Sequence, residues 1–344
     1  MGHGPSFARN AYWRAMQAIL AVTIPFFALV LCGYVAAWRG VLPEVAIPGL
    51  NIFVLFFALP CLLFRFGASM PFAQLIDPVL IAVYASSALM MVFFTVAATW
   101  RRDEASAGVD LKNAAFGALV AAFPNTGFMG VPLLVALLGE RAAGPVIGTV
   151  LTDLILTSTL CIAIAQSHLA TGEAAPKHPL QGALRSLRSA MTNPLPWAIA
   201  LGALSAAVGL QLPGPIGQIV KMLADAATPV ALFTIGAVLW RAGQHAHTRT
   251  PVREYLPVAI FKLVVHPLLV WSIGMLGRKA GLPVSPFGLT VLVLASALPS
   301  ASNVSLLAER YGADNGRVAR IIMASTVFAF VSFSLLAWAV RPAS

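Results

Sequence analysis

The sequence predicts an all-α membrane protein: ten transmembrane helices in two inverted five-helix repeats, with broken helices 4 and 9 crossing. Three observations carry that reading. Ten apolar runs of about 20 residues, each the length of a bilayer crossing, fill most of the 344-residue chain. The fourth run of each half is interrupted by a proline followed by small and polar residues. Five runs per half is an odd number, so the second copy enters the membrane the other way up, a frequent plan among carriers.

Composition supports the first point. The chain is 59% hydrophobic and 10% charged, with a mean hydropathy of +0.86. No room remains for a soluble domain between the runs. The net charge of +10 sits in the connections, where it sets topology rather than attracting nucleic acid. Cys32, Cys61 and Cys161 all fall within apolar runs, and an odd count there argues against a disulfide framework. The first run is too long for the h-region of a signal peptide and reads as an uncleaved helix.

Taken in order, span 1 covers about Gln17 to Ala37 and span 2 about Ile47 to Phe66, with Asn51 and Pro60 inside. Span 3 runs from Ile76 to Trp100. Span 4, Asn113 to Leu138, holds Pro124, Gly127, Gly130 and Pro132 where unbroken helix is expected. Span 5 runs from Pro145 to Gln166 and contains Asp153. Span 6 opens at Asn193-Pro-Leu-Pro196 and continues to about Leu210. Span 7, Gln218 to Trp240, carries Lys221, Asp225 and Pro229. Span 8, Leu256 to Leu276, carries Lys262 and His266. Span 9, Pro286 to Arg310, contains Ala297-Leu-Pro-Ser-Ala-Ser-Asn303, and span 10 runs from Arg317 to Val340. Residues 1–165 thus form the first repeat, 166–192 a short cytoplasmic linker and 193–344 the second repeat. One set of connections carries about twice as many Lys and Arg as the other, which puts both termini outside and the linker in the cytoplasm. The chain is therefore expected in the inner (plasma) membrane.

The halves share local motifs. Phe57-Ala-Leu-Pro-Cys-Leu-Leu-Phe64 of span 2 parallels Ala227-Thr-Pro-Val-Ala-Leu-Phe233 of span 7; Ala122-Phe-Pro124 parallels Ala297-Leu-Pro299. Proline has no N–H and clashes with the preceding turn, so each span 4 or 9 proline opens its helix. Backbone groups freed in this way are tolerated at membrane depth only when buried in protein or lining a cavity. Two helices broken near the midplane and crossed there aim half-helix N-termini at one spot, each worth about half a positive charge. An anion can settle on such N–H groups. The expected substrate shell is Pro124, Asn125, Thr126, Gly127, Pro299, Ser300, Ser302 and Asn303. Packing by small residues is the competing account of Ser300-Ala-Ser302.

With these residues in hand, the chain resembles the auxin efflux carrier family, plant exporters and bacterial carriers together. Asn51-Ile-Phe-Val-Leu-Phe-Phe-Ala-Leu-Pro60 looks like the family's span 2. Phe123-Pro-Asn-Thr-Gly-Phe-Met-Gly-Val-Pro-Leu-Leu134 looks like its broken span 4, and Leu223-Ala-Asp-Ala-Ala-Thr-Pro-Val-Ala-Leu-Phe-Thr-Ile-Gly236 like span 7. Ala297-Leu-Pro299 with Ala308-Glu-Arg-Tyr311 looks like span 9. The resemblance implies a scaffold of spans 1, 2, 6 and 7 facing a transport unit of spans 3–5 and 8–10. It also implies proline crossing points at Pro124 and Pro299, a substrate-contacting Asn125, and a homodimer through the scaffold. The central loop is short, unlike that of many plant exporters, and Ser300-Ala-Ser-Asn303 departs from the plant pattern.

Ionisable groups inside spans cost about 2.5–3.5 kcal/mol each on insertion scales and are functional candidates by default. Asp153 is open to a proton or cation, or to bonding a broken-helix backbone group. Asp225 is expected to pair with Lys221, one turn earlier on the same face. Lys262 is expected to attract an anion or pair with Asp153, and His266 to exchange protons or simply bond in the interior. His245 and His247 are too few for a metal site; no metal and no cofactor are expected. Hydrolase, metalloprotease and phosphate-loop motifs are missing, so transport is expected to run on gradients. The function expected is secondary transport of small organic anions, carboxylates such as malonate-like or auxin-like acids, by elevator-type alternating access. The alternatives are a cation/proton antiporter or sodium-coupled symporter with a similar core, and a non-transporting receptor. Coupling to protons or sodium stays open.

Overall fold

The structure, a computed structural model, describes residues 5–70, 75–100, 109–167, 192–244 and 250–340, with side chains from residue 16 onward. The linker apart from its ends, and His245 and His247, lie outside the described residues. In chain order the helices are α1 (Pro5–Trp38), α2 (Glu44–Ser69), α3 (Pro78–Thr99), α4a (Leu111–Ala122), α4b (Thr126–Leu138), α5 (Glu140–Ser167) and α6 (Pro194–Ala207). There follow α7 (Gly214–Gln244), α8 (Val252–Lys279), α9a (Pro286–Ser296), α9b (Val304–Arg310) and α10 (Asn315–Ala339).

Seven of these, α1, α2, α3, α5, α7, α8 and α10, are long and apolar enough to cross a membrane. The segments expected as spans 4, 6 and 9 are not continuous crossings. Spans 4 and 9 are split at their prolines. Span 6 stops at 14 residues, about 21 Å of helix, because Gly209 takes a left-handed φ of 65°. There the Gly209 and Leu210 N–H groups donate back to Ala206 and Ser205, a glycine C-terminal lock.

Three helices carry a widened π turn, at Val54–Ala58, Thr126–Gly130 and Phe261–Val265, each ending two residues before a proline: Pro60, Pro132 and Pro267. A proline ring clashes with the carbonyl four residues back and supplies no N–H. Lengthening the turn so that the preceding residue bonds five back, as Leu59 does to Val54, moves that carbonyl aside. The fourth π turn, Asp153–Thr157, has no such proline. It is held instead by the Ser158 hydroxyl, which donates to the Asp153 carbonyl at 2.8 Å.

Helices α1, α2, α6 and α7 pack on one another, α1 along α7 and α2 between α6 and α7. Both seams are closed by glycine. A side chain at Gly33 would strike the Phe233 carbonyl, and one at Gly236 the Val30 carbonyl. At the other seam Gly67 meets the backbone at Ile199–Ala203, and Gly202 meets that at Phe64–Ala68. The chain separation from Gly33 to Gly202 equals that from Gly67 to Gly236, and also that from Pro60 to Pro229. The other helices form a second packed group, with α3 against α4a and α8, and α4a and α9a against α5.

The broken helices are the most enclosed. Every residue from Ala114 to Ala122 is buried, as is most of α9a. Where α4a, α8 and α10 begin, Arg317 is only 2% exposed and donates to the Asn113 carbonyl at 2.8 Å and the Glu254 carbonyl at 3.0 Å. Arg317, expected only as the first residue of span 10, is a buried tie between three helix starts.

Candidate functional site

The two interruptions meet. The Asn125 N–H donates to the Pro299 carbonyl at 2.8 Å, and the Ala301 N–H to the Phe123 carbonyl at 3.0 Å. Pro124 and Ser300 thereby face each other in an antiparallel bridge, the one β-type pairing among the described residues. Each proline removes a donor from its own helix, and the flanking groups of one break satisfy those of the other. The Ser300 N–H donates to Ser325 Oγ of α10 at 3.1 Å, tying the crossing to a third helix. Gly130 keeps the approach close, since a Cβ there would lie 2.7 Å from Leu298 of the opposite break.

The expected substrate-shell residues divide into three groups. Pro124, Asn125, Thr126, Pro299 and Ser300 are buried at the crossing itself. Ser300 Oγ is buried without a hydrogen-bond partner. Gly127 is half-buried, and a Cβ there would meet nothing within 4 Å. Ser302 and Asn303 instead line a cavity of about 580 Å³ together with Asn51 of α2, Arg241 of α7, Glu309 and Asn315. The half-helix N-termini are not equivalent, contrary to the symmetrical expectation. In α4b the Thr126 N–H donates to the Pro124 carbonyl and the Met129 and Gly130 N–H groups to the Asn125 carbonyl, so in its first turn the Gly127 and Phe128 N–H groups are the ones left without a backbone acceptor. In α9b the N–H groups of Val304, Ser305 and Leu306 already donate to Ala301, Ser302 and Asn303.

Asp153, Lys262 and His266, all fully buried, form a second cluster beside the break. Asp153 accepts from the Tyr84 hydroxyl at 2.8 Å and the Thr157 hydroxyl at 3.0 Å. Its carboxylate therefore bonds side chains, not the broken-helix backbone that was one expectation. Lys262 donates to the Ser296 carbonyl at 2.5 Å and lies 3.2 Å from His266 Nδ1. Among the described residues it makes no ion pair with Asp153. The ammonium sits where α9a ends, against the carbonyl end of a helix dipole, the favourable place for a cation. The Tyr84 and His266 rings lie 5.9 Å apart and link the two ends of the cluster, while His266 Nε2 is buried with no partner. Asp225 is elsewhere. It pairs at 2.7 Å with Arg65 of α2, not with Lys221, and both side chains are about half exposed.

Sequence reasoning missed Tyr84, Thr157, Ser296, Ser325 and Arg241. None stands at helical spacing from a group it serves except Thr157, four residues from Asp153, which was the one available signal.

Comparison with known proteins adds identity to this geometry. A family model described as membrane transport protein matches residues 18–337. A protein of Rhizobium meliloti (strain 1021) named "Putative malonate transporter" is 27% identical over 328 residues, covering 95% of this chain and 97% of that protein. An "Uncharacterized transporter" of Methanothermobacter thermautotrophicus is 28% identical over 329 residues, covering 94% and 97% respectively. Auxin efflux carrier component 7 of Arabidopsis thaliana is 27% identical over 153 residues, 44% of this chain and 24% of the plant protein.

Proposed function

Because the chain belongs to the membrane transport protein family, the family of the auxin efflux carriers, we propose that it is a secondary carrier of small organic anions, carboxylates of the malonate or auxin type. The observation that carries this reading is the mutual pairing of the Phe123–Asn125 and Pro299–Ala301 breaks. Interrupted backbone deep in a membrane protein is the feature that marks carrier binding sites. Here it lies in the most enclosed part of the chain, beside a cavity that takes in Ser302 and Asn303. The first turn of α4b supplies N–H groups for the carboxylate, and Asn125, Thr126, Gly127, Ser300, Ser302 and Asn303 complete its shell. The Rhizobium relative bears the name of a malonate transporter, and malonate is the first substrate to try.

The architecture we read is ten spans in two inverted repeats, 1–165 and 193–344, with spans 4 and 9 crossing. The equal separations of the glycine pairs and of Pro60 and Pro229 support it. Helices α1, α2, α6 and α7 are the scaffold, and the remainder is a unit that moves past it in elevator fashion; a dimer forms through the scaffold. Both termini face outward across the plasma membrane, and in that orientation the cavity opens to the cytoplasm. An anion carried through lipid needs compensating charge. Asp153 and His266, buried beside the crossing with Lys262, are where a coupled proton resides.

The test is uptake into proteoliposomes of purified protein, over a panel of mono- and dicarboxylates, with pH and sodium varied on either side. Asn125→Ala and Asn303→Ala are expected to weaken uptake of the best substrate. Unchanged affinity and rate in both variants would remove the site, and absence of carboxylate flux in the wild type would remove the function.

A further inference from the structure

The large cavity has a cation in its wall that neither the crossing nor the buried cluster uses. Arg241, in the last turn of α7, is the single Lys or Arg among the described residues lining it. Its partner is Glu44 in the first turn of α2, with Nε 3.3 Å from Oε1, and the two side chains are 34% and 38% exposed. We propose that Arg241 recognises the substrate carboxylate and that Glu44 is a built-in competitor, holding the guanidinium until substrate takes its place. The proposal rests on the anion-carrier reading and extends it to a residue and a competition.

The geometry of the pair suits exchange. A guanidinium grips a carboxylate best through two parallel N–H bonds, and the contact with Glu44 runs through Nε to one oxygen at the long end of the range. Partly exposed pairs of this kind are weak, so an incoming carboxylate displaces Glu44 at little loss. Other lining residues are polar. Asn51, Ser302, Asn303 and Asn315 face the same space, and the Asn303 and Asn315 side-chain oxygens are buried with no hydrogen-bond partner. These amides are available to the remainder of a ligand held by Arg241, and turning one by 180° exchanges its acceptor for a donor. Glu309 also lines the cavity but is exposed. Ser302 and Asn303 belong to the segment that pairs with Phe123, so a carboxylate bridging Arg241 and Asn303 touches the crossing directly. A compact dicarboxylate, one end on the guanidinium and the other on the amides, is the substrate chemistry this arrangement favours.

The experiment measures concentration dependence of labelled malonate uptake, with acetate for comparison, into proteoliposomes of wild type, Glu44→Gln, Glu44→Asp and Arg241→Lys. Removing the competitor is expected to lower the KM for malonate about two- to fivefold in Glu44→Gln, the range set by a partly exposed ion pair. Glu44→Asp, whose shorter carboxylate no longer reaches, is expected to move KM the same way. Arg241→Lys keeps the charge and loses the two-pronged grip, and is expected to raise KM about tenfold or more, more for malonate than for acetate. Malonate uptake with KM unchanged or raised in both Glu44 variants overturns the proposal and leaves a structural strut, with the carrier reading intact. No carboxylate uptake by the wild type removes both readings.

Discussion

Replacing Lys262 by Met tests the buried cluster as a coupled unit. Lys262 is fully buried, and Met keeps its length while removing the ammonium. Two contacts go, the 2.5 Å bond to the Ser296 carbonyl and the 3.2 Å contact with His266. A hydrogen bond from a charged donor is worth about 1.5–3 kcal/mol, and a buried acceptor left without one loses about 1–3 kcal/mol. Against this stands the relief of no longer burying an ammonium, which recovers part of the loss. The substitution also strips the nearby Asp153 carboxylate of its compensating charge. The two charges are neighbours and not an ion pair, so this adds less than the roughly 3–5 kcal/mol of breaking a buried pair, and the Tyr84 and Thr157 hydroxyls still hold Asp153. The expected net loss is about 2–4 kcal/mol. Asp153→Asn made alone also destabilises, but combined with Lys262→Met it removes both charges. The double variant is therefore expected to be more stable than the sum of the singles by about 1 kcal/mol or more. The assay is unfolding of purified protein in mixed micelles titrated with sodium dodecyl sulfate, followed by tryptophan fluorescence. Additivity within about 0.3 kcal/mol would refute the reasoning and make the two charges independent.

Three further outcomes are expected. Asp153→Asn should leave malonate counterflow intact while abolishing the uptake that a pH gradient drives; retained gradient-driven uptake would move the proton elsewhere. Gly130→Ala should destabilise the protein by about 1–3 kcal/mol through overpacking against Leu298, whereas Gly127→Ala, with open space at its Cβ, should be neutral or slightly stabilising within its helix; the same unfolding titration distinguishes them. Asp225→Asn should change stability by less than about 1 kcal/mol, because its pair with Arg65 is half exposed, and a larger loss would show a buried role for that pair.

The parts of this fold that follow from local chemistry were legible in the sequence. A proline followed by small and polar residues inside an apolar run marked both breaks, at Pro124 and Pro299, whereas Pro25 and Pro229 lie inside continuous helices; hydropathy announced the long helices. Length alone did not set the end of span 6. The apolar run continues to Leu210, but Gly209 turns the chain left-handed and ends the helix sooner. Pairing across helices was not legible. Lys221 is one turn from Asp225 and was the natural partner by spacing, yet the neighbour that arrives is Arg65, 160 residues away. Lys262 likewise finds Ser296 rather than Asp153, because α9a ends there and offers the Ser296 carbonyl. Asn51 and Arg241 drew no site assignment, since only the packing of α2, α7 and α9b brings them to one cavity.

The two reciprocal bonds at Phe123–Asn125 and Pro299–Ala301 act as a rivet between the halves of the chain. Neither interrupted rod can slide along the other by even one residue without losing both fastenings. Whatever stroke loads and empties the protein must carry the two rods as a single piece, so its bending has to happen in the surrounding connections and not at the pocket.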